Sequence, residues 1–164
     1  MIRTTEKIAV GIGEMQLFRE PGTVLITHGL GSCIGVAIYD PVARVGGLLH
    51  YMLPEADQHP EKAAACPLMF GETGIPRLFH AAYTLGAVKS RIIVKIAGGA
   101  SLIDTGGVFN IGKRNFLLAR RLLWKNGMTI AGEDVGESVS RTMALEIDTG
   151  RVWVTSPGRG RKEL

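Results

Sequence analysis

The sequence predicts an α+β fold: a mixed system of β-sheets with two helices lying on one side. Three observations point there. Most of the chain falls into short, strand-type runs, and only two stretches carry apolar residues at helical spacing. Those two stretches stand apart among the strands instead of alternating with them one for one. Glycine is abundant at 22 of 164 residues, which supplies many turns and close backbone approaches.

Taken in order, Lys7–Phe18 carries Ile8, Val10 and Ile12 in alternation and reads as one strand interrupted by Gly11 and Gly13. Pro21-Gly22 is a turn, and Thr23–Thr27 a second strand. Ile34 to Tyr39 forms a strand stopped by Asp40-Pro41, and Gly46–Leu53 follows as another. In it Leu48, His50 and Met52 share one face while Leu49, Tyr51 and Leu53 share the other. Pro54–Pro67, with prolines, acids and few large apolar groups, reads as a loop long enough to act as a lid or binding segment. Thr73 fits an N-cap with Pro76 in the first turn of a helix. Its apolar face is Leu78, Phe79, Ala82 and Leu85, and Gly86 ends it. Arg91–Ala97 is a buried-type strand before the turn Gly98-Gly99-Ala100-Ser101. The second helix covers Lys113–Asn126, with Phe116, Leu117, Ala119, Leu122 and Leu123 inward, Arg114, Arg121 and Lys125 outward, and Gly127 as its stop. Thr129–Val135 is a strand. Ser140–Ile147 and Arg151–Thr155 form a hairpin through Asp148-Thr149-Gly150.

Composition narrows the function classes. Hydrophobic content of 46% and charged content of 21% fit a soluble globular chain, expected to form one domain over residues 1–164. No apolar run approaches the about 20 residues of a membrane span. The start, with Arg3, Glu6, Lys7 and Glu14, has no signal-peptide core, so the expected location is the cytoplasm. The net charge of +4 is modest. Part of it lies in Arg159-Gly160-Arg161-Lys162, within a 157–164 segment expected to be a flexible, solvated tail. Scattered bases with few interleaved aromatics argue against nucleic acid, and an acidic protein partner fits the charge at least as well.

The chemistry-bearing segment is Thr27-His28-Gly29-Leu30-Gly31-Ser32-Cys33, followed by the strand histidine His50. A cysteine in a glycine-rich turn has little bulk around its sulfur. Backbone N–H groups around Gly31 and Ser32 could hold an oxyanion, His50 could take the thiol proton, and Thr27 could orient the imidazole. Cys33 as a buried small hydrophobe and His50 as a satisfied core histidine are the plain alternatives. Cys66 reads as an incidental loop thiol, and Cys33 is expected to alkylate faster than Cys66. A zinc site from His28, Cys33, His50 and Cys66 has suitable ligand types, but their spacing matches no common pattern, so neither metal nor cofactor is expected. Gly98-Gly99 lacks the lysine of a phosphate-binding loop.

Several segments together resemble the CheD family of bacterial chemoreceptor glutamine deamidases. They are Gly11-Ile12-Gly13-Glu14, Gly29-Leu30-Gly31-Ser32-Cys33, His50 before Met52-Leu53-Pro54, Lys95-Ile96-Ala97-Gly98-Gly99-Ala100-Ser101, Asn110-Ile111-Gly112-Lys113-Arg114-Asn115 and Glu133-Asp134-Val135-Gly136. The likeness runs from about Ile8 to Val154. It implies a three-layer α/β/β sandwich related to cysteine hydrolases, with a catalytic triad on Cys33, His50 and Thr27. It also implies deamidation of glutamines on the cytoplasmic helical region of methyl-accepting chemotaxis receptors, and in some bacteria a CheC-type phosphatase partner. A methyl glutamate ester presents the same carbonyl, so a methylesterase side activity is chemically reasonable. Rival readings are a non-catalytic chemotaxis adaptor and a cysteine deamidase or transglutaminase acting on another protein. The chain departs from the family pattern at His28, at Gly136-Glu137, and in the long loop Leu102–Phe109. Leu102 and Ile103 are the expected docking residues there.

Overall fold

A computed structural model describes residues 4–102 and 110–164. Among these described residues, ten strands make two five-stranded sheets. The first sheet runs β1 (Glu6–Ala9), β3 (Thr23–Leu30), β8 (Arg141–Glu146), β9 (Val152–Ser156), β10 (Gly160–Glu163). The second runs β2 (Glu14–Phe18), β5 (Val45–Tyr51), β4 (Ile34–Asp40), β6 (Ile93–Gly98), β7 (Ile130–Val135). Both are mixed, since β1 pairs parallel to β3 and β6 parallel to β7 while the other pairs are antiparallel. The helices α2 (Gly71–Thr84) and α3 (Ile111–Lys125) pack on the second sheet, against β2, β4, β5 and β7. The order of layers is therefore helices, sheet, sheet, as the α/β/β expectation had it.

Two cores follow from strand alternation. Ile34, Val36 and Ile38 of β4 with Leu49 and Tyr51 of β5 face the helices and meet Ile75, Leu78, Phe79, Ala119 and Leu123. The alternate residues Cys33, Ala37, Tyr39 and Leu48 face the first sheet and meet Leu25, Met143, Leu145 and Val154. Burying each large aliphatic side chain is worth about 1.5–3 kcal/mol. Every residue of β4 and β5 is buried, because these strands are covered on both faces. His50 lies on the inter-sheet face with Leu48, as the alternation predicts.

Several expectations need correction. Lys7–Phe18 is two strands in different sheets, and the Gly11–Gly13 segment carries the chain across the sandwich. Pro54–Pro67 is not all loop. It holds the short helix α1 (Pro60–Ala65), and Met52 and Leu53 N–H groups both donate to the Met69 carbonyl just beyond it. Helix α2 begins at Gly71 with Phe70 as its cap residue. Thr73 instead donates its hydroxyl to the Pro67 carbonyl at 2.5 Å, and Pro76 sits inside the helix. Tertiary packing sets this start: Phe70 is fully buried and bridges to Leu53, and Gly71 lies against the Tyr51 ring. In α3, Leu117 faces outward at 45% exposure and Leu118 is buried in its place.

The tail expectation also fails. Gly160–Glu163 forms β10, antiparallel to β9. Arg161 stacks over Trp153 at 4.0 Å, Arg151 pairs with Glu163, and Lys95 donates to the Leu164 carbonyl. Its basic residues are exposed, but its backbone is tied down. Among the described residues, no helix is long and apolar enough to cross a membrane.

Candidate active site

Strand β3 brings Thr27 to the face that looks across at the second sheet, and β5 brings His50 to meet it. Thr27 is 0% exposed and His50 1%. The Thr27 hydroxyl donates to the Val10 carbonyl at 2.6 Å, and its oxygen lies 2.7 Å from His50 Nδ1. A hydroxyl has one proton, and Val10 takes it, so the Thr27 oxygen accepts from Nδ1–H. The neutral imidazole is therefore the Nδ1–H tautomer, and Nε2 carries a bare lone pair. Nε2 is buried without a hydrogen-bond partner among the described residues.

Cys33 joins this pair through strand register. Gly35 stands opposite His50 in the β4–β5 ladder, and Cys33 lies one pleat earlier on the same face, a diagonal neighbour of His50. Gly35 lets the first sheet close over this face: a Cβ there would sit 2.8 Å from Met143 Sδ and 3.1 Å from Leu30 Cδ1. The sulfur is less accessible than a glycine-rich turn implies, since Cys33 is only 8% exposed. Burial pushes its thiol pKa up, and burial lowers that of His50 to about 4. At neutral pH both groups are therefore uncharged, and they share the inter-sheet face without a hydrogen bond between them among the described residues.

The turn before Cys33 is braced from several sides. Gly31 N–H donates to the Gly29 carbonyl at 3.0 Å, so that donor is occupied, whereas Ser32 and Cys33 N–H groups make no turn hydrogen bond among the described residues. Gly99 N–H donates to the Cys33 carbonyl and Ala100 N–H to the Gly31 carbonyl. Gly98 has φ +114, and any side chain there would overlap the Cys33 carbonyl oxygen. Leu102, 54% exposed, lies over Gly31, where a Cβ would come within 2.8 Å of its Cδ1. Ile103 lies outside the described residues.

His28 and Cys66 stay apart from this cluster. His28 points outward to Thr142 at 3.3 Å, and Cys66 is exposed at the end of α1. No group of three or more His, Cys, Asp or Glu side chains is arranged to hold a metal among the described residues. The groove between α2 and α3, lined by Phe79, Tyr83 and Leu122 among others, contains none of the cluster residues.

Two buried polar residues were not singled out from sequence. Asn115 of α3, fully buried, donates its side-chain amide to the Ser32 and Met52 carbonyls, each at 2.9 Å. Arg141 of β8 donates to the Gly98 and Gly136 carbonyls and pairs with Asp134 at 3.1 Å. The available signal for Asn115 was its place on the inward stripe of α3, four residues before Ala119, where an apolar residue is the norm.

A three-layer sandwich with a hydrogen-bonded histidine and threonine between its two sheets, and a cysteine on the same inter-sheet face, is the class of protein that fold and site define. The model of the family described as CheD chemotactic sensory transduction matches residues 52–156. Full-length relatives extend the likeness across the cluster. A probable chemoreceptor glutamine deamidase CheD 1 of Syntrophus aciditrophicus is 50% identical over 96% of this chain and 98% of its own. The probable chemoreceptor glutamine deamidase CheD of Solibacter usitatus is 48% identical over 97% and 94%. The probable chemoreceptor glutamine deamidase CheD 2 of Anaeromyxobacter dehalogenans is 47% identical over 91% and 94%. The chain belongs to the CheD family.

Proposed function

We propose that this chain is a chemoreceptor glutamine deamidase, a cysteine-dependent amide hydrolase that converts glutamine side chains of methyl-accepting chemotaxis receptors to glutamate. The observation carrying this reading is the hydrogen bond from His50 Nδ1 to Thr27, which leaves a bare Nε2 on the sheet face that also bears Cys33. The names of the full-length relatives supply the substrate class.

Because thiol and imidazole are both neutral at rest, His50 acts as a general base during attack and is not paired beforehand with a thiolate. Nε2 takes the Cys33 proton as sulfur adds to the glutamine carbonyl. The N–H groups of Ser32 and Cys33, which make no turn hydrogen bond among the described residues, receive the oxyanion. Imidazolium then hands its proton to the leaving nitrogen, ammonia departs, and a thioester remains. Water, deprotonated by His50, cleaves the thioester to glutamate and returns the thiol. A methyl ester follows the same path with methanol leaving, which is the proposed side activity.

Receptor helices must reach a recessed sulfur, so contacts beside the cleft supply specificity. Leu102, exposed over Gly31, is the proposed contact, with Ile103 next to it in sequence, and a CheC-type phosphatase is the proposed competitor for the same surface. On this reading the protein works in the cytoplasm, with the receptors' helical regions. Mass spectrometry of a receptor cytoplasmic fragment after incubation tests the reading. Glutamines should become glutamates with stoichiometric ammonia, and a fragment unchanged by the parent protein sinks it. A chemotaxis phenotype untouched by Cys33→Ala would instead support the adaptor. Leu102→Asp should weaken receptor deamidation and phosphatase binding together while turnover of a small ester survives.

A further inference from the structure

We propose that Asn115 is a positioning residue for acyl transfer, aiming the Cys33 N–H into the oxyanion site by holding the other end of the same peptide. The inference rests on the amidase reading and assigns a role to a residue outside the cluster of Thr27, His50 and Cys33.

The argument begins with a planar peptide. The Ser32 carbonyl and the Cys33 N–H belong to one trans unit and point in opposite directions. Asn115 Nδ2 donates to that carbonyl at 2.9 Å. Fixing the oxygen toward α3 therefore turns the Cys33 N–H away from α3. Donation to the carbonyl also polarises the peptide and strengthens its N–H as a donor. The second Nδ2 proton goes to the Met52 carbonyl at 2.9 Å, two residues beyond His50. One amide thus clamps the chain entering Cys33 to the chain leaving His50.

The clamp is itself rigid. Asn115 is 0% exposed, and its own carbonyl accepts the buried Tyr51 hydroxyl at 2.6 Å, so its turn of α3 is tied to β5 as well. Gly112, one turn earlier, lies so close to Gly99 and Ala100 that no side chain fits between them. A polar amide at the heart of an otherwise apolar helix face loses packing options, and its two donors end on just the two segments that carry nucleophile and base.

The test separates oxyanion formation from thiol reactivity. Acylation of Cys33 by p-nitrophenyl acetate builds a tetrahedral oxyanion, whereas alkylation by iodoacetamide is a displacement at carbon that builds none. Both rates are read at the Cys33 peptide by mass spectrometry, in the parent and in Asn115→Leu, which keeps the shape and removes both donors. The expected result is acylation slowed about 10–10³-fold, the range for a weakened oxyanion donor, with alkylation close to the parent rate. Equal slowing of the two reactions in a folded variant, or no slowing of either, overturns the proposal.

Asn115→Asp carries the test if the leucine variant does not fold. Its carboxyl donates one hydrogen bond only when protonated, so its acylation rate relative to the parent should be higher in mildly acidic than in mildly alkaline buffer. A ratio that does not change with pH overturns the assignment. The ester assay needs no receptor, so a parent protein inert toward receptor fragments refutes the proposed substrate without touching this result.

Discussion

At the scale of single residues, Thr27 does two jobs with one hydroxyl. By donating to Val10 and accepting from His50 it selects the tautomer that leaves Nε2 as the base. His50→Ala should lower the deamidation rate by about 10²–10⁴-fold, the range for a positioned acid or base. Thr27→Val should cost less, because the imidazole remains, and Thr27→Ser should recover most of the loss. Cys33→Ala should end ammonia release while costing about 1 kcal/mol of stability for a small buried group. Thermal melts beside steady-state rates on all four variants check this, and a serine variant as slow as the valine one would show that the hydroxyl is not what matters. Burial also reverses an expectation about labelling. Cys33 is recessed with its thiol pKa raised, and Cys66 is exposed. Iodoacetamide should modify Cys66 first in the resting protein, as peptide mass spectrometry would show. Faster reaction at Cys33 would mean that its thiol is more open and more ionised in solution than this arrangement allows.

At the scale of elements, the C-terminal strand shows how an exposed basic sequence becomes structured. Residues 159–163 look solvated because Arg159, Arg161, Lys162 and Glu163 alternate with a glycine and offer no apolar face. Their order comes from neighbours far away in sequence: the β9 ladder, the Trp153 ring, Arg151, and the Lys95 ammonium on the last carbonyl. Truncation after Ser156 should therefore lower stability by about 1–3 kcal/mol, the sum of a cross-strand ladder and one cation–π contact. Urea titration of full-length and truncated chains measures it, and coincident midpoints would return the segment to a flexible tail. Helix α3 makes a similar point inside the protein. Its apolar stripe was legible, but Leu117 and Leu118 exchange places because a shift of one residue turns the helix by a quarter or more of a revolution.

At the scale of the whole molecule, two buried titratable groups set the acid limit. His50 has its pKa lowered from 6.5 to about 4 by burial. The unfolded chain thus binds a proton before the folded one does, and the stability present above pH 6.5 is lost as pH falls toward 4. Asp40, held by Arg91 and by the Val88, Ala43 and Val42 N–H groups against the cost of its burial, is lowered from 3.8 to about 2. Its contribution is present above 3.8 and disappears as pH falls through about 2. The melting temperature should decline in two stages on acidification. His50→Gln should remove the first stage and leave the second; a first stage of unchanged size in that variant would place the responsible proton elsewhere.

The sequence by itself determined the central strands and the two long helices, the two faces of β5, and the residue types at the candidate site. These are local properties: alternation, helical periodicity and glycine-rich turns are readable because each depends on neighbours within a few residues. The resemblance added the family and layer order, which the comparisons and the two sheets bear out. Only the tertiary structure decided that Lys7–Phe18 divides between sheets, that the tail is a strand, and that Asn115 and Arg141 are buried among carbonyls. It alone also made Cys33 and His50 a neutral pair. The physical reason is the same in each case: burial, charge state and long-range hydrogen bonding depend on which distant segments cover a residue, and no local pattern records that.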